Sequence, residues 1–156
     1  MVLWRICPFQ DLNGEGGLLF PARWHFAGNP VVYLAESPAG ALLEICANTT
    51  ADDTSPTLTL LKVDGPDVSI AEIPPNTLPN DWTKRAEVTR PIGTHWLASQ
   101  STALLRVPST LVPETWNYLL PPAPRPRPIP NRPRLRISIR PALEILTLFT
   151  NQVRAS

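Results

Sequence analysis

Gly14-Glu15-Gly16-Gly17, Pro21-Ala22-Arg23-Trp24-His25, Val31-Val32-Tyr33-Leu34-Ala35 and Ser37-Pro38-Ala39-Gly40-Ala41-Leu42-Leu43-Glu44 follow one another closely, and their reading decides the fold. The first run is a glycine-rich turn. The second lies in a long loop, residues 8–30, punctuated by Pro8, Gly14, Gly16, Gly17, Pro21, Gly28 and Pro30; long loops in compact domains often carry function. The third is a continuous apolar run of β-branched and aromatic type, hence a buried strand. The fourth opens a helix, with Ser37 as N-cap and Pro38 at the first helical position, running to about Asn48. A loop, a strand and a helix thus deliver an arginine, a tyrosine and a glutamate, each out of place on composition alone.

Outward from this stretch, Val2 to Ile6 reads as a first strand with Arg5 inside it. Thr57 to Val63 and Val68 to Ile73 read as strands, with Asp64-Gly65-Pro66-Asp67 as the turn between them. Pro74 to Asn80 is an extended connector, and Trp82 to about Ser99 a helix interrupted near Pro91 and Gly93. Ala103 to Val107 is a strand stopped by Pro108, with Ser109 just beyond. There are no internal repeats.

At 156 residues the chain fits one domain with a sizeable core. The overall charge of +1 hides an asymmetry. Residues 1–120 hold seven Lys/Arg and twelve Asp/Glu, whereas residues 121–156 hold seven Arg and one acid, Glu144. That segment also carries eight of the twenty prolines and no glycine. Pro121 to Pro133 lacks amide donors and favours polyproline II over helix or central strand. Leu135 to Phe149 reads as a strand followed by a short amphipathic helix starting at Pro141.

Several classes are set aside. Cys7 and Cys46 form no CxxC, and with only His25 and His95 there is no zinc spacing; both thiols are expected to be buried in a reducing cytosol. No apolar h-region precedes Pro8 and no apolar run approaches the ~20 residues of a membrane span, so a cytoplasmic protein is expected. The glycines do not fit G-x-G-x-x-G, and no G-x-S-x-G occurs.

Taken singly, the unusual residues leave two readings open. Glu44, with Gly40, Ala41, Ala47 and Asn48 as helical neighbours, is either solvent-exposed or the floor of a cleft. Arg23 beside Trp24 is a capped surface arginine or a grip on phosphate. Tyr33 is a core residue or a ligand contact, and Ser109 a turn residue or a ligand contact.

Taken together they are more specific. Residues 1–120 resemble the RES domain, a bacterial toxin family named for its Arg, Glu and Ser. The blocks are Leu3-Trp4-Arg5-Ile6, Asn13-Gly14-Glu15-Gly16-Gly17, Ala22-Arg23-Trp24, Gly28 to Ser37, Leu42-Leu43-Glu44, Leu78-Pro79-Asn80-Asp81-Trp82, Ile92-Gly93-Thr94-His95-Trp96-Leu97, Leu105-Arg106-Val107-Pro108-Ser109 and Asn117-Tyr118-Leu119-Leu120. The resemblance implies an α+β fold similar to ADP-ribosyltransferases, with a split β core, flanking helices and a cleft for NAD+. It implies degradation of NAD+ at the nicotinamide–ribose bond by water or phosphate. NAD+ is then substrate rather than cofactor, inorganic phosphate is a possible co-substrate, and no metal is needed. Glu44, Arg23, Tyr33 and Ser109 take catalytic positions, and Arg23, Trp24, Tyr33 and Arg5 ligand-binding ones. A cognate antitoxin with an Xre-like region is the implied partner; a homo-oligomer is compatible, and membrane or nucleic acid is not expected.

Two departures stand out. The family's usual Gly-Arg-Trp-Asn reads Ala22-Arg23-Trp24-His25 here. After Leu120 the family ending is only half matched by Pro121-Pro122-Ala123-Pro124-Arg125-Pro126. Residues 121–156 are therefore either a divergent Pro/Arg-rich tail or the product of a shifted reading frame. Loss of the last core strand would leave a sheet edge open and impair the cleft, making an inactive relative that acts through protein contacts the alternative.

Overall fold

The computed structural model describes residues 1–8, 11–48, 58–122 and 136–141. The elements run β1 (Val2–Cys7), α1 (Gly16–Leu19), β2 (Val32–Ala35), α2 (Pro38–Asn48), β3 (Thr59–Asp64), β4 (Ile70–Glu72), α3 (Ala86–Ser99), β5 (Leu104–Pro108), β6 (Trp116–Leu120) and β7 (Arg136–Pro141). Single 3₁₀ turns at Pro75–Thr77 and Trp82–Lys84 lie before α3. The strands form one sheet in the order β4-β5-β6-β2-β1-β3-β7. All neighbours are antiparallel except β4 and β5, whose parallel pairing uses α3 within the crossover.

The sheet is split in the middle. β1 pairs with β3 over six positions, and β2 with β6 over four, but the register between β1 and β2 is Trp4↔Ala35 alone. The two halves diverge from that point. This is the α+β, split-core architecture of the ADP-ribosyltransferase-like type.

Side-chain alternation gives the sheet a core on each face. Leu105, Val107 and Leu119 join Trp24, Val31, Trp82, Trp96 and Leu97 on the α3 side. Leu104, Val32 and Leu34 join Leu3 and Val63 on the other, with Tyr118 and Leu120 packed against them. Tyr33, between Val32 and Leu34, packs on the α3 side.

Three expectations change. β3 and β4 are not a hairpin: the turn after Asp64 is tied to Met1, whose ammonium donates to the Gly65 carbonyl at 2.9 Å, and the chain then crosses to the far edge of the sheet. Turn residues specify a reversal, not the partner that follows it. α3 is not interrupted by Pro91 or Gly93. Pro91 removes one donor, whose intrahelical acceptor would be the carbonyl of Glu87, an exposed first-turn residue that water can serve. Cys7 is buried, but Cys46 is exposed on α2.

The helix start at Ser37-Pro38 forms as read, with the Gly40 amide donating to Ser37 Oγ at 3.0 Å. β7 pairs along β3 from Thr59↔Pro141 to Asp64↔Arg136, so a strand from the Pro/Arg-rich segment covers that edge. The polyproline run from residue 123 and the helix expected after Pro141 lie outside the described residues.

Two glycines are required by geometry. Gly14 has φ +69°, and a Cβ there would sit 2.7 Å from the Val31 nitrogen. Gly93 lies where α3 presses on the backbone of residues 22–25, and a Cβ would overlap the Trp24 carbonyl. Gly93→Ala is therefore expected to destabilise the protein by about 1–3 kcal/mol through overpacking, despite alanine's better helix propensity. Urea unfolding checks this: the midpoint should fall at unchanged m-value, and an unchanged or higher midpoint would contradict the close packing.

Candidate active site

A cleft of about 720 Å³ follows the split of the sheet, lined by Trp4 to Cys7 from β1, by Pro8 just beyond it and by Tyr33 to Ala35 from β2. The loop between these strands contributes Gly14 to Gly17 and Phe20 to His25, and α3 contributes Arg90. One stripe of α2 (Ala41, Glu44, Ile45 and Asn48) forms part of the wall, the i, i+3, i+4, i+7 spacing of a single helix face.

Glu44 is half-buried on this stripe. Its Oε1 accepts from Ser109 Oγ at 2.9 Å and from Asn117 Nδ2 at 2.6 Å. Ser109 is itself fixed, since its oxygen accepts from the amides of Leu111 at 3.2 Å and Val112 at 3.3 Å. With the oxygen accepting twice, the hydroxyl proton is directed to the carboxylate. Ser109 is buried at the end of β5 and Asn117 stands on neighbouring β6, so the sheet holds the donors and α2 holds the acceptor.

Tyr33 is held from the opposite side. Its hydroxyl receives the Trp24 amide at 3.3 Å and lies 2.8 Å from His25 Nδ1. Burial pushes the phenol far above its ordinary value, so it stays protonated. Burial also lowers His25, partly offset by the backbone of Gly17 and Phe20, while the charge of Arg90 lowers it further. A neutral imidazole can accept the tyrosine proton on Nδ1, and an imidazolium cannot. His25 is 2% exposed, and among the described residues its Nε2 makes no hydrogen bond of good geometry, although the backbone of Gly17 and Phe20 lies close to the ring.

Three arginines line the cleft. Arg5 Nη1 donates to the Tyr33 carbonyl at 3.4 Å across the split, and its Nε is buried without a hydrogen-bond partner among the described residues. Arg23 Nη1 is likewise buried without one among the described residues. Arg90 Nε donates to the Ala22 carbonyl at 2.9 Å.

The structure thus brings Glu44 and Ser109 into direct contact, and sets Arg5, Arg23 and Tyr33 around the same cleft. Trp24 differs: its indole is 2% exposed and packs on Trp82 at 5.8 Å between centroids, so the ring belongs to the core and its backbone amide serves the site. Sequence reasoning gave no role to Asn117 or Arg90. An asparagine inside a strand of apolar and aromatic residues is a signal that could have found the first. Nothing local marks the second, since an arginine on a helix is ordinary.

The split-sheet α+β fold is of the ADP-ribosyltransferase-like type. The chain belongs to the RES domain family, whose model matches residues 2–140 and so reaches into β7. A Pseudomonas putida protein named Toxin Res is 46% identical over 125 residues, covering 78% of this chain and 85% of that protein. Toxin Res of Photorhabdus laumondii is 35% identical over 128 residues, covering 78% and 82%. A Sphingobium protein named Prs ADP-ribosylating toxin is 36% identical over 119 residues, covering 73% and 74%.

His25 yields a prediction with a definite sign. Its folded pKa is lowered, so between that value and the ordinary imidazole value of about 6.5 the unfolded chain binds a proton that the folded chain refuses. Its contribution to stability is complete above about pH 6.5 and is lost as pH falls through the folded value. His25→Asn, which keeps a polar side chain but cannot titrate, should therefore flatten the acid limb of the unfolding midpoint against pH. Parallel profiles for both proteins would show that His25 does not titrate in this way.

Proposed function

We propose that this protein is a toxin that cleaves the nicotinamide–ribose bond of NAD+, and that a cognate antitoxin neutralises it. The observation that carries the chemical part is the carboxylate of Glu44, oriented by Ser109 and Asn117 at the cleft wall. Both donors engage Oε1, and Oε2 has no donor among the described residues.

The residue types suit the reaction. Nicotinamide in NAD+ is a pyridinium, which departs neutral and needs no proton from a general acid. The barrier lies in the oxocarbenium-like ribose left behind, as in glycoside hydrolysis. A carboxylate fixed beforehand stabilises that cation and can hold a ribose hydroxyl without reorganising. Ser109 and Asn117 fix the orientation of Glu44, Arg23 can pair with the pyrophosphate, and Tyr33 can stack on the nicotinamide ring. Water or inorganic phosphate then captures the ribose. The names of the relatives support the toxin role, and a toxin made by its own host requires a neutralising partner, here taken to be an Xre-type antitoxin.

The test is nicotinamide release from NAD+ by purified full-length protein, with and without inorganic phosphate. Glu44→Gln keeps the shape and the Asn117 contact but removes the charge. Turnover should fall roughly 10²–10³-fold, the usual cost of one well-placed electrostatic contact. Acceleration by phosphate would name the nucleophile. Full turnover in a folded Glu44→Gln protein would sink the role of Glu44, and no release from the folded wild type would sink the reading as a whole.

A further inference from the structure

Tyr33 lines the cleft with both of its polar ends engaged. Its carbonyl accepts from Arg5 Nη1, and its hydroxyl accepts from the Trp24 amide. The hydroxyl proton is left to point at His25 Nδ1, 2.8 Å away. A phenol so placed has no proton to give a ligand; what it offers the cleft is its ring.

His25 is itself held firmly. Its carbonyl accepts from the Ala22 amide at 3.1 Å, and the next amide, that of Phe26, donates to Thr94 Oγ1 on α3 at 3.0 Å. The imidazole is wedged between Tyr33 and the glycine-rich turn, where a Cβ at Gly17 would stand 3.0 Å from Nε2. With Nδ1 as the acceptor, the ring proton lies on Nε2, toward the backbone of Gly17 and Phe20. α1 carries no charged side chain, so the titratable and charged groups acting on the ring are Tyr33 from β2 and Arg90 from α3. Gly17 and Phe20 also line the cleft, so one imidazole ties a cleft-lining turn to a cleft-lining tyrosine.

We infer that His25 is a positioning residue for the ligand: by accepting the Tyr33 proton it holds the phenol ring at one angle to the cleft, where a flat ring can stack on it. This deepens the reading of the cleft as an NAD+ site and rests on it, the flat ring being nicotinamide. The imidazole and the phenol are tilted at 45° with centroids 5.6 Å apart, so His25 fixes Tyr33 through its hydroxyl rather than by stacking on its face. It does so only while neutral, because an imidazolium carries protons on both nitrogens and accepts on neither.

Nicotinamide release from NAD+ by the full chain, resolved into kcat and KM, tests this. His25→Leu removes the acceptor and should raise KM roughly three- to tenfold, the worth of one hydrogen bond. The kcat should change little, because a contact made equally in the ground and transition states moves KM alone. In a Tyr33→Phe background, which lacks the hydroxyl, the same change should add nothing. An unchanged KM in His25→Leu, or a cost that persists in Tyr33→Phe, overturns the proposal and leaves His25 a packing residue. His25→Asn, whose side-chain oxygen can accept the tyrosine proton, should keep KM near the wild-type value at neutral pH. It should also hold that value below about pH 6.5, where the wild-type KM climbs as the imidazole charges. Parallel pH profiles overturn the proposal, and they decide it alone if His25→Leu does not fold. Calorimetry with NAD+ separates this inference from the reading beneath it. Binding that depends on His25 through Tyr33, without nicotinamide release, would retain the positioning role and sink the cleavage reading. Release that ignores His25 would sink the positioning role alone, and neither binding nor release would sink both.

Discussion

The site depends on the seating of α3 against the loop backbone at residues 22–25. Three successive carbonyls point at this helix. That of Ala22 is met by Arg90, that of Arg23 by Thr89, and that of Trp24 rests over Gly93 where no side chain intervenes. A loop carrying carbonyls into a half-buried cleft would leave them unpaired, and each such group costs about 1–3 kcal/mol. The helix satisfies those of Ala22 and Arg23, and so holds the loop against its side. Once the loop is fixed, Trp24 enters the core, His25 meets the Tyr33 hydroxyl, and Arg23 is left at the cleft wall.

The second constraint is the split in the sheet. An intact ladder between β1 and β2 would bring their side chains into ordinary cross-strand contact and close the space that the cleft occupies. With Trp4↔Ala35 as the register point, the strands separate, and Arg5 spans the gap to the Tyr33 carbonyl. The opening is tolerated because each half is anchored elsewhere. β1 is held by β3, β3 by β7, and β2 by β6. β7 thus bears on the cleft without touching it, by covering the outer edge of the half that carries Arg5.

What was legible in the sequence was local. Ser37-Pro38 announced α2, and the apolar run before it announced β2, because capping and β-branching act within a few residues. Glu44 stood out for the same reason, as a carboxylate on a helix of small and apolar residues. What was not legible depended on distant partners. The turn at Asp64-Gly65-Pro66-Asp67 could not say that β4 would join β5 rather than β3. Pro91 and Gly93 looked like breaks, yet Gly93 is where the helix fits most closely. Trp24 looked like a stacking platform beside Arg23, and only its packing on Trp82 makes it core. Asn117 and Arg90 acquire meaning from contacts with Glu44 and Ala22, 73 and 68 residues away in sequence.

A cleft lined by three guanidiniums and by the carboxylates of Asp11, Glu15 and Glu44 raises the question of how Glu44 is kept from pairing with an arginine. Glu44 is engaged by Ser109 and Asn117, which are neutral donors from a different part of the sheet, and these fix it without cancelling its charge. Arg90 is tied to a carbonyl and Arg5 to another, again neutral partners. An Arg–Glu pair here would leave the cleft fewer free charges for a ligand. Keeping the charges apart sacrifices some stability, because each is partly desolvated without its best partner. Such a sacrifice is expected where function requires unsatisfied charge, and proteins carry it where a rigid frame prevents collapse. Here α3 and the two half-sheets are that frame, so the same contacts that shape the fold also preserve the field inside the cleft.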